Sequence, residues 1–347
     1  LLTVIMVGLY RTPAAIEAAW KYFILGSVGI SLAFFGTILI YLAGQSALGD
    51  GLPALTWSRL VATASRLDPE LVNLAFVFLL IGYGTKAGLF PLNAWLPDAH
   101  AEGPTPVAAV LSGLMLNVAL FALLRFKMIV TATPGTLDPG PVLMLMGIAT
   151  LVFAAIMLYM RRDIKRLFGY SSIEHMGLIV FAFGLGGAVA NFGALLHVAM
   201  HSLTKSAIFF AVGPMVQAHG TQDMSRIKGL SVSQPMLAVG FGMAVVAIAG
   251  LPPFGVFTSE FLILTTAFAK HPLLALLPAL ALLLALGALL WRLQDMLFGE
   301  PSGPLPDIAL SMSVAPLFLH VLIIVICGIF LPGSIAVMLQ QAAELLP

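Results

Sequence analysis

Two lysines in this chain stand where an ammonium group is expensive. Lys86, in "GYGTKAGLFPLNAWLPDAHAEGPTPV", comes five residues after the aliphatic run "VNLAFVFLLI" and five before a proline. Lys205 closes a series with His197 and His201 at i, i+4 and i+8 in "LLHVAMHSLTKSAIFF". Glu260 lies in "TSEFLIL", and Glu174 and His175 are adjacent in "SSIEHMG". Ammonium, imidazole and carboxylate groups share the ability to take up and release protons, and an ionisable side chain at mid-bilayer costs at least ~3 kcal/mol on insertion scales. A set of them points to proton conduction. Steps of four residues turn a helix by about 40° and rise about 6 Å, which places the two histidines and Lys205 on one stripe about 12 Å long. Such steps are too long for direct hops, so bridging waters are expected.

Each residue also has a structural reading. A transmembrane histidine can serve as an interhelical hydrogen bonder, Lys86 with a carboxylate as ion-pair glue, and Glu174, near an expected helix start, as a partner of the N-terminal dipole. The "DAHAE" segment (Asp98, His100, Glu102) has metal-ligand residue types, but before "GPTP" at a turn it reads as solvated capping chemistry. The glycines of "GYGTKAG" follow no strand and lie in an apolar run, so they are no phosphate loop.

The elements that must position these groups are membrane helices. Of 347 residues 60% are hydrophobic and 9% charged, and apolar runs repeatedly reach the roughly 20 residues that cross a bilayer. The runs are continuous rather than alternating, which excludes a barrel and leaves an all-α, polytopic helix bundle. Net charge is +1 with the sixteen basic residues scattered, so no nucleic-acid partner is expected. The single cysteine, Cys327, excludes a disulfide scaffold, a cysteine zinc site and multi-cysteine iron–sulfur ligation within the chain. No cofactor and no metal are expected here; redox centres, if any, belong to a partner.

The opening "LLTVIMVGLY" is too short to span and reads as the second half of a helix. Nine full spans are expected after it, near 18–44, 70–90, 105–130, 140–161, 167–187, 190–217, 234–269, 273–298 and 309–338. The 70–100 region breaks at "LFPLNAWLP" (Pro91, Pro97), and 234–269 breaks at "AGLPPFGVF" (Gly250, Pro252, Pro253, Gly255). Broken helices at membrane depth line protein-buried or watery cavities, and one in each half of a chain points to transporter repeats. With alternating spans, one face collects Arg11, Lys21, Arg161, Arg162, Lys165, Arg166, Arg226, Lys228 and Arg292, and the other Arg59, Arg66, Arg125, Lys127 and Lys270. The first face is expected to be cytoplasmic. Of the sixteen basic residues, Lys86 and Lys205 remain inside the bilayer.

"GYGTKAGLFPLNAWLPDAHAEGPTPVAAVLSG", "LFGYSSIEHMG", "HVAMHSLTKSAIFF" and "GLPPFGVFTSEFLIL" resemble the antiporter-like proton-translocating subunits shared by respiratory complex I, Mrp-type sodium/proton antiporters and membrane-bound hydrogenases. The wording of "SSIEHMG" and "HSLTKS" is most similar to the F component of hydrogenase-4 and formate hydrogenlyase complexes. The resemblance implies a fold with fourteen core helices and two inverted five-helix repeats, of which this chain holds the fifth helix onward. Residues 1–130 then end the first repeat, 131–300 form the second, and 301–347 hold the C-terminal transmembrane helix and tail. It implies that Lys86 is the lysine of the first broken helix, that His197, His201 and Lys205 are the central connecting residues, and that Glu260 ends the second broken helix. The glutamate that pairs with the first lysine in the family would lie upstream of Leu1, and a position that is often lysine in the next helix is Asn117.

Burial disfavours an ammonium and a nearby carboxylate favours it, so moving the carboxylate's charge switches a buried lysine between holding and releasing its proton. At an effective dielectric of about 20, two charges about 8 Å apart interact by about 2 kcal/mol, enough to bias such a step. The resemblance thus implies a proton-translocating subunit without redox centres, in the bilayer of a bacterial or archaeal inner membrane. Its partners would be other membrane subunits and peripheral redox subunits of a hydrogenase or complex-I-like assembly. A self-sufficient cation/proton antiporter of the Mrp kind and a passive membrane scaffold are the alternatives.

Overall fold

Aspartate–proline and threonine–proline pairs set where three of the long helices begin. Thr12 accepts from the amide of Ala15 and Asp138 from that of Gly140, with Pro13 and Pro139 as first helical residues, where the missing N–H costs nothing. Asp68 and Pro69 start a third helix in the same way. The computed structural model describes residues 1–301 and 314–347, and among these the architecture is helical, with one isolated bridge between Asp163 and Asp223.

Seven single helices are long and apolar enough to cross a bilayer: Pro13–Leu48, Pro69–Ala87, Thr105–Ala132, Pro139–Met160, Ile164–Leu185, Ala188–His219 and Pro272–Phe298. Val314–Ile329 and Gly333–Glu344, bent by 72°, are apolar enough together to make an eighth if the bent pair is one span. The helices Pro235–Ile248 and Gly255–Lys270 lie in the expected 234–269 span, and each is shorter than the helices long enough to cross. The start of the expected 309–338 span lies outside the described residues.

Both breaks fall inside the expected regions, and their exposed backbone is satisfied locally. The first helix stops at Gly88, whose φ of 77° only glycine adopts without strain, and the amide of Leu89 turns back to the Gly84 carbonyl. The freed amide of Phe90 donates to Thr150 Oγ1 at 3.0 Å, and Trp95 Nε1 donates to the Thr85 carbonyl at 2.8 Å. Pro97 is not part of this break. It lies in the first turn of the second half, Trp95–Glu102, where proline is tolerated. At the second break the chain turns at Gly250, φ 70°, before the second half begins at Gly255.

Small residues bring the helices together. A Cβ on Gly147 would stand 2.5 Å from the Phe181 amide, and one on Gly177 2.6 Å from the Leu151 amide, so Pro139–Met160 and Ile164–Leu185 touch backbone to backbone. Gly29 and Gly82 do the same for Pro13–Leu48 and Pro69–Ala87. All of Ile164–Leu185 except Arg166 and Tyr170 is buried, which makes it the centre of the bundle.

Candidate proton-transfer site

Ile164–Leu185 begins earlier than its sequence suggests, because the Asp163 side chain accepts from the Arg166 amide at 2.8 Å. Glu174 therefore lies mid-helix, 2% exposed, and is no partner of the N-terminal dipole. With His175 it faces the central helix Ala188–His219, where His197, His201 and Lys205 are all fully buried. The third wall is Gly255–Lys270, which brings Ser259 and Glu260.

These three helices make one cluster. His175 Nδ1 and His197 Nε2 are 2.9 Å apart, and His197 Nδ1 and Ser259 Oγ also 2.9 Å. The Ser259 hydroxyl donates to backbone carbonyls of Gly255 and Val256, so its oxygen accepts and His197 carries its proton on Nδ1. His197 Nε2 is then a bare acceptor, and His175 donates to it from Nδ1. Glu260 comes within 3.9 Å of His175 Nδ1, and Glu174 Oε2 within 4.0 Å of its Nε2. The His175 ring stands 5.1 Å from that of His197 and 5.3 Å from that of His201. The expected stripe is thus cross-linked: a side chain from the neighbouring helix closes a gap that one helix alone leaves too wide. His201 has no protein partner on either ring nitrogen, nor have Glu174 Oε2 and His175 Nε2.

Lys205 donates to the Phe168 carbonyl at 3.0 Å and lies 5.5 Å from the centre of the Phe168 ring. Ser172 Oγ donates to the same carbonyl and meets Ser112 Oγ at 2.7 Å. Ser112 belongs to a π-helical segment, Leu111–Met115, inside Thr105–Ala132. Widened turns of this kind recur at functional sites. Asn117, two residues after it, donates from Nδ2 to Ser202 Oγ and to the Gly113 carbonyl, both at 2.8 Å.

Lys86 stands apart from this cluster. Among the described residues no carboxylate pairs with it. Its Nζ lies 4.7 Å from the centre of the Tyr22 ring and 6.0 Å from the Trp95 ring, and a Cβ on Gly26 would meet it at 3.0 Å. The Tyr22 and Trp95 rings stack at 4.5 Å, so the ammonium rests on an aromatic pair.

The structure corrects several expectations. The acidic residues of "DAHAE" form ion pairs: Asp98 with Lys21 and Arg166, each at 3.0 Å, and Glu102 with Arg166 at 3.1 Å. His100 is fully buried and its Nδ1 donates to the Leu96 carbonyl, so it is not solvated. Lys86 and Lys205 are not the only enclosed lysines. Lys127 and Lys165 are 3% and 2% exposed and cap helix ends, on the carbonyls of Phe183 and Gly103. The Glu260 carboxylate packs against Gly250, toward His175. The signals sequence reading missed, His175–His197 pairing and the aromatic seat of Lys86, join residues distant along the chain.

A curated relative from Methylacidiphilum infernorum, the hydrogenase-4 component F homolog, is 56% identical over 99% of this chain and 72% of its own length. The F420H2 dehydrogenase subunit M of Methanosarcina mazei is 30% identical over 87% of this chain, which spans 61% of that relative. Among solved structures, a chain of the archaeal membrane-bound sulfane sulfur reductase matches with a TM-score of 0.89 at 26% identity, over 99% of this chain and 68% of that one. A chain of respiratory complex I from Thermus thermophilus shares the fold, with a TM-score of 0.86 at 24% identity, over 99% of this chain and 72% of that one. Residues 1–285 match the NADH:quinone oxidoreductase/Mrp antiporter transmembrane family, and this chain, an integral membrane protein, belongs to it.

Proposed function

We propose that the chain is a proton-translocating membrane subunit, without redox centres, of a hydrogenase or complex-I-like assembly. Protons would pass among Lys205, His201, His175, His197 and Glu260, with Lys86 as a separate store. The observation that carries the reading is the His175–His197 hydrogen bond beside Glu260 at the second break, a continuous set of titratable groups from three helices. The family and the hydrogenase-4 and F420H2 dehydrogenase names of its relatives support membrane partners and a redox reaction elsewhere that supplies the energy. On this reading the "RRDIKR" end faces the cytoplasm, the membrane is the inner one of a bacterium or archaeon, and peripheral subunits hold the redox centres. One broken helix in each part supports the division into repeats at 1–130 and 131–300, with 301–347 as a closing segment.

The test uses the assembled complex in vesicles. Glutamine keeps the hydrogen-bonding capacity of Glu260 but cannot titrate, so Glu260→Gln should assemble on a native gel and lower redox-driven proton uptake by about 100-fold, as should Lys205→Met. Variants that assemble and pump at the parental proton-to-electron ratio would place the scaffold reading first. Sodium-for-proton exchange by the chain alone would favour an antiporter.

A further inference from the structure

The atoms that pass protons at the second break also have the donor set of a transition-metal site. His175 Nδ1, His197 Nε2 and a Glu260 carboxylate oxygen all lie within 4.8 Å of one another, on three helices whose positions the bundle fixes. Two imidazoles and a carboxylate are the ligands of many four- and five-coordinate zinc centres, whereas sodium, magnesium and calcium take oxygen. Ligands bound to one such ion stand about 3.3 Å apart at metal–ligand distances of about 2.0–2.1 Å. The His175–His197 pair need open only slightly from 2.9 Å, and Glu260 close from 3.9 Å.

The surroundings fit as well. A metal-bound imidazole donates its other N–H to a carboxylate, hydroxyl or carbonyl, which fixes the tautomer. His197 already does so, from Nδ1 to Ser259 Oγ at 2.9 Å. If His175 moves its proton from Nδ1 to Nε2, that proton faces Glu174 Oε2 at 4.0 Å, and these two buried atoms have no other protein partner. Glu174 and Glu260 together supply two negative charges for a divalent ion. The Glu260 side chain, 10% exposed against 1% for His175, gives the entry side.

We propose that His175, His197 and Glu260 bind one divalent transition-metal ion of the zinc class, in the place of the proton shared by the two histidines. Binding breaks the hydrogen-bonded link, so it stops conduction; this consequence rests on the function proposed above, while the site itself does not. The probe is Zn2+ added to the purified assembled complex. Equilibrium dialysis should show one more zinc per complex in the parent than in His197→Gln or Glu260→Gln, retained under excess Mg2+. X-ray absorption at the zinc edge of the parent should show two imidazoles and one carboxylate around that ion, a measurement that needs no variant. No zinc difference between parent and assembled variants, or a zinc shell without imidazole, overturns the site. Zinc bound with this shell while proton uptake continues unchanged establishes the site and overturns the conduction reading instead.

Discussion

The two broken helices solve one problem with opposite chemistry. At the first, a single ammonium rests on the stacked faces of Tyr22 and Trp95, and the freed backbone groups are taken by Thr150 and by the Trp95 indole. At the second, no aromatic seat is needed, because Glu260 comes against the turn at Gly250 and meets His175, itself bonded to His197. An aromatic face attracts a cation but accepts no proton from it, so on the proposed function the first site favours holding a proton, and its release needs another acceptor. The second consists of groups that each both accept and donate. On the proposed function the difference separates storage from transfer within one fold.

Replacing the cross-link is the most severe way to test that division. His175→Phe keeps an aromatic ring of similar size between His197 and His201 but neither donates nor accepts. Redox-driven proton uptake should fall by about 100-fold, the scale of a lost proton-transfer group, with assembly retained on a native gel. If uptake persists at the parental ratio, the second region does not transfer protons through His175 and the contrast collapses.

The turns at the breaks give the next largest effect. Gly250 and Gly88 both have left-handed backbone, so alanine is strained at each by about 1 kcal/mol. They differ in what the new methyl meets: the Glu260 carboxylate at Gly250, and the end of the Leu96 side chain at Gly88. Gly250→Ala should lower proton uptake about tenfold and Gly88→Ala by a few-fold only. Equal losses would mean that strain alone, and not displacement of Glu260, governs the second break.

At the first site the aromatic seat is the target. Removing one face of a partly desolvated cation–π contact costs about 1 kcal/mol, or about fivefold. Tyr22→Leu should reduce uptake by about that factor and Tyr22→Phe should leave it near parental, since the ring remains. A Tyr22→Phe loss as large as that of Tyr22→Leu would show that the hydroxyl, bonded to Thr3, matters more than the face.

Much of this was legible before the fold was known, and the reason is locality. Apolar runs, Pro13, Pro69 and Pro139 at helix starts, and the glycines and prolines of both breaks are properties of neighbouring residues. So is the i, i+4, i+8 series of His197, His201 and Lys205. What stayed hidden needs the packing of distant segments: His175 reaches His197 because Gly147 and Gly177 let its helix settle at the bundle centre, and Asp98 meets Arg166 across two helices. Glu174 was misplaced for a smaller reason. The helix starts at Ile164, so "RLFGYSS" runs from its capped first turn inward and leaves Glu174 mid-helix; both serines are buried, one of them bonded to the backbone and to Ser112.

The smallest expected effect lies between the two regions. Asn117 is on the helix that follows the first break, and its amide donates to Ser202 on the central helix that carries the transfer groups. An amide orients neighbours and binds water but does not titrate, so Asn117 can position a path and cannot be a station on it. One partly buried hydrogen bond contributes at the low end of the usual range, about 0.5 kcal/mol, which sets the expected loss for Asn117→Ala at about twofold in proton uptake. Lys86→Ala removes the stored charge itself and should be markedly worse. Asn117→Asp supplies the sharper measurement, because it keeps the size and adds a titratable group facing Ser202. If the alanine and Lys86 variants lose uptake equally and completely, or if the aspartate exceeds the parent, protons cross directly between the regions at Asn117. The separation of store from transfer line would then be wrong.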